Sequence, residues 1–385
     1  MKSIVFITAV DVSQTSGAGI ATRELIRALG ECSDTHLHII CPSPKKPIPN
    51  RIKGSIYEFK FLPSTVDSGT LTWHLKVELA ILRYTLDILQ NSDPDTVITR
   101  LSPSTLAPAP LCRMFGISHI LLIRGWVTSH AYNKRKYRRI ISRVAQMNIR
   151  LSNSVFVAFD ELRKWASKYR SPQQTPIEVL PNGVDPDLFY HRSKKSARNT
   201  LDLSQDDFII GFVGNLAGRH ELPTLLEAIT KVDDVQLVIV GGGETQSNLR
   251  KLCRTFGIED RVQFTGRVDH DDIPNYVAAF DVGYGVISEE KPSNPIKCYE
   301  YLACECPVLS SWSQEMAFID EVNAGYLVDA VTPESIADTI QTFREIGNHE
   351  RTLMGRRGRQ YVVEHATWRR LAQKIMSSIF HESIE

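Results

Sequence analysis

Short apolar segments alternate with longer helical segments along almost the whole chain, and this alternation limits the folds available to it. We predict buried strands at residues 3–10, 36–42, 95–100, 119–124, 154–159, 208–215, 235–243, 262–268, 281–288 and 307–309. Helical patterns lie between several of them, at residues 21–29, 72–89 and 222–232. Short strands that alternate with helices indicate parallel sheets covered by helices on both faces. The sequence therefore predicts an α/β protein.

The series of strands and helices is interrupted at residues 180–200. This segment contains Asn-Gly, two prolines and mixed charges, which is typical of a linker. A chain of 385 residues is also longer than one ordinary domain. We predict two doubly wound domains, an N-terminal one over residues 1–190 and a C-terminal one over residues 191–365.

The composition indicates a soluble globular protein whose charge is unevenly distributed. Apolar residues make up 42% of the chain and charged residues 23%. Residues 1–190 contain 24 Lys and Arg against 15 Asp and Glu, whereas the remaining residues contain 21 against 29. A basic half joined to an acidic half suggests that the first half faces an anionic partner.

Several classes of protein are poorly supported by the sequence. The seven cysteines include no Cys-x-x-Cys pair, which argues against disulfides or a cysteine zinc site and favours the reducing cytoplasm. No run approaches the roughly 18 apolar residues of a membrane span, and the apolar N-terminus reads as a strand rather than a signal peptide. We find no His-Glu-x-x-His motif, no clustered His and Cys ligands and no Gly-x-Ser-x-Gly elbow, so we expect no bound metal and no catalytic serine.

The segment Ser293–Leu309 carries the strongest functional signal. Ser293, Asn294 and the proline after them form a typical helix start, and Lys297 and Glu300 follow on one face of the first turns. Such a helix start offers N–H groups and a positive dipole end to a phosphate. Lys297 could add a charge there, and Glu300 could accept hydrogen bonds from a ribose. An ordinary amphipathic helix with a surface Lys–Glu pair explains the same spacing.

A glycine turn follows the first predicted strand. The missing side chains of Gly17 and Gly19 would let a phosphate or a sugar approach the backbone near a helix N-terminus. Thr22 occupies the third glycine position of a dinucleotide fingerprint, so that motif is excluded. A simple tight turn is equally compatible with these residues.

A second loop, residues 215–221, lies between the first strand of the C-terminal domain and its helix. Arg219 and His220 stand just before that helix, where they could reach a diphosphate. A cation in this position would stabilise charge that develops on a leaving group. A solvated loop is the alternative interpretation.

The N-terminal domain offers two further features. Arg124 ends a predicted strand and His130 follows shortly, so both could contact an acceptor or a phosphate; alternatively, Arg124 pairs with a carboxylate and Trp126 packs. The basic run at residues 134–143 is typical of an amphipathic helix drawn to anionic lipid, although a solvated face is also compatible. No nucleic-acid-binding motif accompanies this run, so we expect no nucleic-acid partner.

In their order and spacing, several segments resemble the family-4 retaining glycosyltransferases (glycosyl transferases group 1), and the resemblance covers essentially the full length. The segments are GAGIATRELIRAL at 17–29, VLPNGVDPDLF at 179–189, FVGNLAGRHELPTLLEAI at 212–229, LVIVGGG at 237–243, VQFTGRV at 262–268, SNPIKCYEYLACECPVL at 293–309, GYLVDAVTPESIADTI at 325–340 and ATWRRLAQKI at 366–375. The resemblance implies a GT-B fold, in which two Rossmann-like doubly wound domains face each other across a cleft. It also implies a C-terminal helix, about residues 366–385, that packs back on the N-terminal domain.

The resemblance further implies a nucleoside diphosphate sugar as donor. Glu300 matches the second Glu of the family's Glu-x7-Glu motif, which holds the ribose, and Lys297 matches a lysine near the phosphates. The loop at 265–268 matches the loop that contacts the base. With the residues considered above, the predicted nucleotide-sugar site comprises Gly17, Gly19, Asn215, Gly266, Arg267, Val268, Ser293, Asn294 and Glu300. The predicted catalytic groups are Arg219, His220 and Lys297, and Arg124 and His130 are predicted on the acceptor side.

The chain departs from the family's pattern at several positions. Pro292 stands where the first Glu of the motif is expected, and the Glu pair at 289–290 is a potential substitute. Asn215 replaces the usual arginine and His220 the usual lysine. Arg124 and the glycine after it occupy the place of a histidine that is common in the family. These departures leave the handling of the donor sugar open.

We therefore expect a metal-independent, configuration-retaining hexosyltransferase without a cofactor. It would move a sugar from a nucleoside diphosphate to a glycan or lipid-linked acceptor in cell-surface polysaccharide or glycolipid biosynthesis, from the cytoplasm or the inner face of the membrane. The family implies front-face chemistry, in which the leaving diphosphate helps to deprotonate the acceptor. The alternatives are a sugar-nucleotide epimerase with the same layout and a catalytically silent subunit that binds a sugar nucleotide. The sequence identifies neither the nucleotide of the donor, UDP or GDP, nor the acceptor.

Overall fold

The computed structural model describes residues 2–32, 35–48, 50–52, 56–65, 70–126, 135–171, 173–290 and 292–381. The contacts within the chain divide it into two compact units. Unit 1 comprises Met1–Pro181 and Trp368–Glu385, and unit 2 comprises Asn182–Thr367. The predicted boundaries lie at 190/191 and 365/366, so the chain enters unit 2 earlier than predicted.

Unit 1 is built on a parallel sheet with the strand order β3-β2-β1-β4-β5-β6-β7. Its strands are β1 (Lys2–Ile7), β2 (Thr35–Pro42), β3 (Tyr57–Leu62), β4 (Thr96–Arg100), β5 (Ser118–Ile123), β6 (Ser154–Val157) and β7 (Glu178–Val179). Its helices are α1 (Gly17–Gly30), α2 (Leu71–Asn91), α3 (Pro108–Phe115), α4 (Arg135–Leu151), α5 (Asp160–Ser167) and the C-terminal α14 (Trp368–His381). Helix α14 packs against α1.

Unit 2 has a parallel sheet with the strand order β10-β9-β8-β11-β12-β13. The strands are β8 (Phe208–Val213), β9 (Val235–Val240), β10 (Val262–Gly266), β11 (Val282–Tyr284), β12 (Val308–Ser311) and β13 (Gly325–Val328). The helices are α6 (Lys194–Thr200), α7 (Leu222–Ile229), α8 (Gln246–Phe256), α9 (Ile273–Ala279), α10 (Ile296–Ala303), α11 (Phe318–Glu321), α12 (Pro333–Glu345) and α13 (Gly347–His365).

Both sheets follow the strand order of a Rossmann-like doubly wound fold. In each sheet the order reverses beside the first strand, between β1 and β4 in unit 1 and between β8 and β11 in unit 2. The central strands are continuous apolar runs because helices cover both of their faces, as the burial along β8 shows. The α/β fold class predicted from the sequence is therefore confirmed. Ligands of such sheets bind beyond the carboxyl ends of the strands, at the reversal.

The segment at residues 180–200, predicted as a linker, is packed structure instead. Val184, Leu188 and Phe189 are buried in a core cluster of unit 2, and α6 follows them. The edge strand β3 was not predicted, because Glu58 and Lys60 interrupt its apolar pattern.

A buried ion pair fixes α6 to the sheet of unit 2. Arg198, 3% exposed, donates to Asp281 Oδ2 at 2.7 Å, and Lys194 donates to Asp281 Oδ1 at 2.8 Å. Asp281 Oδ2 also accepts from the backbone N–H of Ile209 at 2.8 Å. The guanidinium of Arg198 further donates to the carbonyl oxygens of Ser204, Gln205, Asp207 and Ala279. These bonds make the segment before β8 part of the domain.

Candidate functional site

The candidate site of unit 2 lies where β8 and β11 separate. The two strands pair only at Ile210–Val282 and Gly211–Gly283. Beyond that point the hydroxyl of Tyr301, from α10, accepts from Val213 N at 2.8 Å and donates to Tyr284 O at 3.5 Å. This hydroxyl takes the place of the missing ladder bonds at the reversal of strand order, the usual ligand site of such a sheet.

Lys297 places a buried ammonium near this reversal, beside the end of β8. It lies in the first turn of α10 and is 8% exposed. Its Nζ is 3.6 Å from the centroid of the Phe212 ring, and a Cβ at Gly214 would lie 3.1 Å from that Nζ. Burial lowers the pKa of Lys297 to about 7. A cation is thus held against the carboxyl end of β8 with little water around it.

His220 is adjacent to this lysine and is itself buried. Its Nδ1 lies 3.5 Å from Lys297 Nζ, and its ring packs edge-on against Phe212. Burial, together with the charges of Lys297 and Arg219, holds the pKa of His220 far below its ordinary value. A neutral imidazole accepts from the ammonium through Nδ1 and keeps its proton on Nε2. His220 can therefore donate a hydrogen bond, whereas the positive charge at the site comes from its neighbours.

Arg219, the neighbour of His220, is exposed in a short 3-10 turn, Gly218–His220. Its carbonyl oxygen accepts from the N–H of Ser288 at 2.9 Å, so the turn is tied to the loop after β11. Asn215, earlier in the same loop, is also exposed.

Glu300 lies one turn after Lys297 and is 6% exposed. Its Oε1 is 2.9 Å from His270 Nε2, and Oε2 has no hydrogen-bond partner in the part of the chain that the structure describes. His270 comes from the turn His270–Asp272 after β10, and its ring packs edge-on against Phe189. One carboxylate oxygen is therefore held in place, and the other remains able to accept from a ligand hydroxyl.

The interpretation of Lys297 and Glu300 as an ordinary surface pair is wrong, because both are buried. The sequence did not indicate His270, which is 30 residues from Glu300 and meets it only through the fold. The potential substitutes for the motif's first Glu, Glu289 and Glu290, are exposed in the loop after β11.

Asn294 fixes the start of α10. Its Oδ1 accepts from Asn182 N at 2.6 Å, and its carbonyl accepts from Asn182 Nδ2 at 2.6 Å. Its Nδ2 donates to the hydroxyl of Tyr299 at 2.9 Å. The side chain is thus occupied by protein partners, while Ser293 before it is half-buried.

Glycines bring the loops after β8, β9 and β10 together. Gly241 has φ +139°, and a Cβ there would lie 1.9 Å from the carbonyl oxygen of Gly214. The N–H of Gly241 donates to the carbonyl of Gly266 at 2.8 Å. The close approach permitted by Gly241 is therefore to the protein's own backbone. Arg267 is exposed and Val268 is half-buried beside this junction.

The glycine turn of unit 1 has an internal role as well. Gly17 is exposed, whereas Gly19 is buried, and a Cβ there would lie 2.4 Å from the carbonyl oxygen of Gln14. Arg100, at the end of β4, donates to Thr22 Oγ1 at 2.6 Å. The sequence did not indicate Arg100, which brings a second guanidinium to the strand ends of unit 1.

Arg124 donates to the carbonyl oxygens of Leu180 and Pro181. The alternative interpretation has this side chain paired with a carboxylate and Trp126 packed. Trp126 packs edge-on against Phe159, as that alternative has it. His130 lies outside the described residues.

The basic run at 134–143 lies partly outside the described residues. In α4, Ile141 and Val144 are buried, while Ile140 is exposed. Two of the apolar positions therefore serve packing, and membrane binding through this helix stays a prediction that flotation with anionic liposomes can test. No helix in the described ranges is both long and apolar enough to cross a membrane.

Two family descriptions match the chain. Residues 15–188 match Glycosyltransferase Family 4, and residues 193–361 match Glycosyl transferases group 1. The first match lies mostly in unit 1 and the second within unit 2, so the chain resembles glycosyltransferases along most of its length. The resemblance drawn from the motifs is thereby confirmed.

Two relatives match over part of their length. The chain is 30% identical over 214 residues to a GDP-mannose-dependent alpha-(1-6)-phosphatidylinositol monomannoside mannosyltransferase of Mycobacterium tuberculosis, a match that covers 52% of this chain and 54% of the relative. It is 32% identical over 167 residues to the lipopolysaccharide core biosynthesis glycosyltransferase LpsE of Rhizobium meliloti, covering 43% and 48%. The chain thus spans about half the length of these relatives.

Solved structures of the same fold match over nearly the whole chain. Sucrose-phosphate synthase from Thermosynechococcus elongatus has a TM-score of 0.81 at 20% identity and covers 99% of both chains. Anabaena HepE in complex with UDP has a TM-score of 0.75 at 15% identity, covering 99% of this chain and 100% of the other. At such identities the likeness shows the fold alone, and the expected GT-B fold is confirmed.

Proposed function

We propose that this protein is a retaining hexosyltransferase that uses a nucleoside diphosphate sugar as donor and a glycan or glycolipid as acceptor. The observation that carries the proposal is the buried pair of Lys297 and Glu300 on the helix beside the point where β8 and β11 separate. A buried cation and a carboxylate with one free oxygen, one helical turn apart, suit a diphosphate joined to a ribose.

The donor binds with its diphosphate at the start of α10. Backbone N–H groups there and the Lys297 ammonium attract the phosphates. Glu300 accepts from the ribose hydroxyls through Oε2, while His270 holds Oε1. Gly266, the last residue of β10, and the loop after it face the base.

The transfer breaks the bond between the anomeric carbon of the sugar and the diphosphate oxygen. The acceptor oxygen forms its bond to that carbon on the same face, and its proton passes to the leaving diphosphate. Lys297 and Arg219 stabilise the charge that develops on this diphosphate, so no metal is assigned to the step. His220 donates from Nε2 to the same region.

The relatives suggest both the candidate bases and the acceptor class. One relative is named as GDP-mannose-dependent and acts on a phosphatidylinositol mannoside, another is named for lipopolysaccharide core biosynthesis, and a structural neighbour was solved with UDP. We therefore assign GDP or UDP as the nucleotide and a glycolipid or surface polysaccharide as the acceptor.

The test compares GDP, UDP and their hexose conjugates by calorimetry, followed by transfer assays with glycolipid acceptors. We expect Glu300→Ala to weaken binding of the preferred nucleotide by about 10- to 100-fold, since a hydrogen bond to a charged group contributes about 1.5–3 kcal/mol. We expect Arg219→Ala to lower turnover with little change in binding. His191→Asn, an exposed histidine outside the site, is the matched control.

Two results would contradict the assignment. Unchanged nucleotide affinity in Glu300→Ala would show that Glu300 does not bind the ribose. A wild-type rate in Arg219→Ala would show that Arg219 does not contribute to catalysis. Isomerised sugar nucleotide in the absence of an acceptor would point to an epimerase, and nucleotide binding without any transfer would point to a silent subunit.

A further inference from the structure

Two histidines and a glutamate converge on the sheet of unit 1. His36 and His38 occupy alternate positions of β2, so their side chains project from the same face. The register of the sheet pairs His38 with Glu58 of β3. The atoms His36 Nε2, His38 Nδ1 and Glu58 Oε2 all lie within 4.8 Å of one another.

The contacts inside this cluster leave a buried nitrogen unsatisfied. His38 Nδ1 lies 3.0 Å from Glu58 Oε2, yet its geometry gives no hydrogen bond to any group that the structure describes. A lone pair of Nδ1 that faced the carboxylate would be repelled, and a buried polar atom without a partner is uncommon. A cation between the two atoms would satisfy both.

We propose that His36 Nε2, His38 Nδ1 and Glu58 Oε2 bind one Zn²⁺ ion, with water as the fourth ligand. Two histidines and a glutamate are a ligand set found in zinc proteins that keep an open position. Imidazole nitrogens favour zinc over magnesium, which prefers oxygen ligands.

The three side chains have room to close around an ion. Glu58 Oε2 is 4.0 Å from His36 Nε2, whereas bonds of about 2.0–2.2 Å to zinc draw such ligand atoms closer together. His36 and Glu58 are partly exposed, with 25% and 51% of their side-chain surface accessible, so both can rotate inward. His38 is the buried, fixed member.

The lysine that follows Glu58 on the same strand face is already paired. Lys60 follows Glu58 on the same face of β3 and acts on His38 electrostatically. Its Nζ donates to Asp87 Oδ2 on α2 at 2.6 Å. The aspartate offsets much of the repulsion that Lys60 would exert on a bound cation.

The position of the cluster argues for a structural role of the ion. His36 and Glu58 are the second residues of β2 and β3, near the amino ends of strands, whereas the donor site uses the carboxyl ends of strands in unit 2. Strand β3 is the edge of its sheet and pairs with β2 alone. A zinc ion would fasten this edge strand to the sheet and would take no part in sugar transfer.

The test uses the full-length chain without a histidine tag, stripped of metal with a chelator at pH 7. We expect one Zn²⁺ per chain by calorimetry, an increase in the melting temperature with zinc, and Co²⁺ absorption bands typical of four-coordinate cobalt. His36→Asn and Glu58→Gln, at the two partly exposed positions, should each lower zinc affinity by at least about 100-fold, because loss of even an outer partner costs 10–100-fold. Their melting temperatures without zinc show that they fold.

His191→Asn is the matched control, because His191 and Glu305 form a His–Glu pair at 3.3 Å in unit 2. It should bind zinc like the wild type. Absence of zinc uptake, equal uptake of Mg²⁺, or unchanged affinity in His36→Asn and Glu58→Gln would each overturn the proposal. None of these measurements depends on glycosyl transfer, so the result stands apart from the proposed function.

Discussion

Lys297 shows how one side chain is adjusted to an anionic ligand. An ammonium that is buried among Phe212, His220 and the backbone of Gly214 is destabilised in the absence of a counter-ion. Its pKa of about 7 records that cost. A bound diphosphate supplies the missing negative charge and raises the pKa again, so binding and protonation of this lysine are coupled.

This coupling predicts a pH-dependent donor affinity. Below pH 7 Lys297 is already protonated in the free protein, so affinity should be constant. Above pH 7 binding must take up a proton, and affinity should fall by up to tenfold per pH unit, since one pKa unit corresponds to about 1.4 kcal/mol. A nucleoside diphosphate sugar has no phosphate that titrates in this range. Calorimetry from pH 6 to 9, in buffers of different ionisation enthalpy, measures both the affinity and the proton uptake.

Lys297→Arg is the control, because its guanidinium stays charged throughout. It should bind the donor with little dependence on pH. The same slope in this variant as in the wild type would show that another group takes up the proton.

At the scale of residues, local spacing predicted one part of the site and missed another. Lys297 and Glu300 are one turn apart on α10, so the sequence brings them together by helical geometry alone. His270 is joined to Glu300 by the packing of the turn after β10, which no local pattern encodes. The cluster around His38 depends in the same way on the register of β2 with β3.

At the scale of elements, Tyr301 links α10 to two strands at once. A Cβ at Gly283 would lie 2.3 Å from Cδ2 of Tyr301, so the glycine is needed to admit the ring between β11 and the helix. The hydroxyl then bonds to both β8 and β11. The same side chain therefore lies between the separated strands and positions the helix against them.

Tyr301→Phe should weaken this junction. The substitution leaves the buried N–H of Val213 without its partner, which costs about 1–3 kcal/mol of unfolding free energy. Donor affinity should also fall, because Lys297 and Glu300 lie on the same helix. Urea unfolding and calorimetry measure the two effects.

Tyr326→Phe is a suitable comparison, since that ring packs against Phe343 and its hydroxyl makes no hydrogen bond in the described ranges. Equal stability of the two variants would contradict the role given to the Tyr301 hydroxyl.

The sequence predicted the existence of most strands better than their ends. The predicted strands at 208–215 and 235–243 end at Val213 and Val240, because Gly214 and Gly241 have positive φ angles. The predicted strand at 281–288 ends at Tyr284, where Tyr301 separates it from β8. Past Tyr284 the apolar residues Val286 and Ile287 continue the run, so hydrophobicity alone could not locate that end.

At the scale of the whole molecule, the alternation of strands and helices predicted the fold class. The composition of residues 180–200, however, gave a wrong prediction of a linker. Their Asn-Gly and prolines are typical of a linker, yet the segment supplies buried residues and α6 to unit 2. The decisive contact is between Arg198 and Asp281, which are 83 positions apart. Such a contact is invisible to local composition.

The acid stability of unit 2 should depend on this pair. Burial alone would raise the pKa of Asp281, but Lys194, the N–H of Ile209 and Arg198 together lower it. The pair therefore stabilises the fold above the unfolded-state pKa of about 3.9, and this contribution is lost as the pH falls further. Asp281→Asn should lower the unfolding free energy at pH 7 by about 3–5 kcal/mol, the usual cost of breaking a buried pair. Denaturant unfolding at several pH values measures it.

Asp234→Asn is the comparison, because Asp234 is 89% exposed and lies 3.7 Å from Arg344. It should change stability little. If Asp281→Asn kept the acid dependence of the wild type, the pair would not be its source.

The hydroxyl of Tyr301 has one more consequence, for the backbone proton that it covers. The N–H of Val213 has no strand partner at that point. Among the described residues, the Tyr301 hydroxyl is its hydrogen-bond acceptor. Deuterium can replace the proton when this hydrogen bond opens, as it does when α10 moves off the sheet. The hydrogen-exchange rate at this amide therefore reports how often the contact opens between β8 and the helix that bears Lys297 and Glu300.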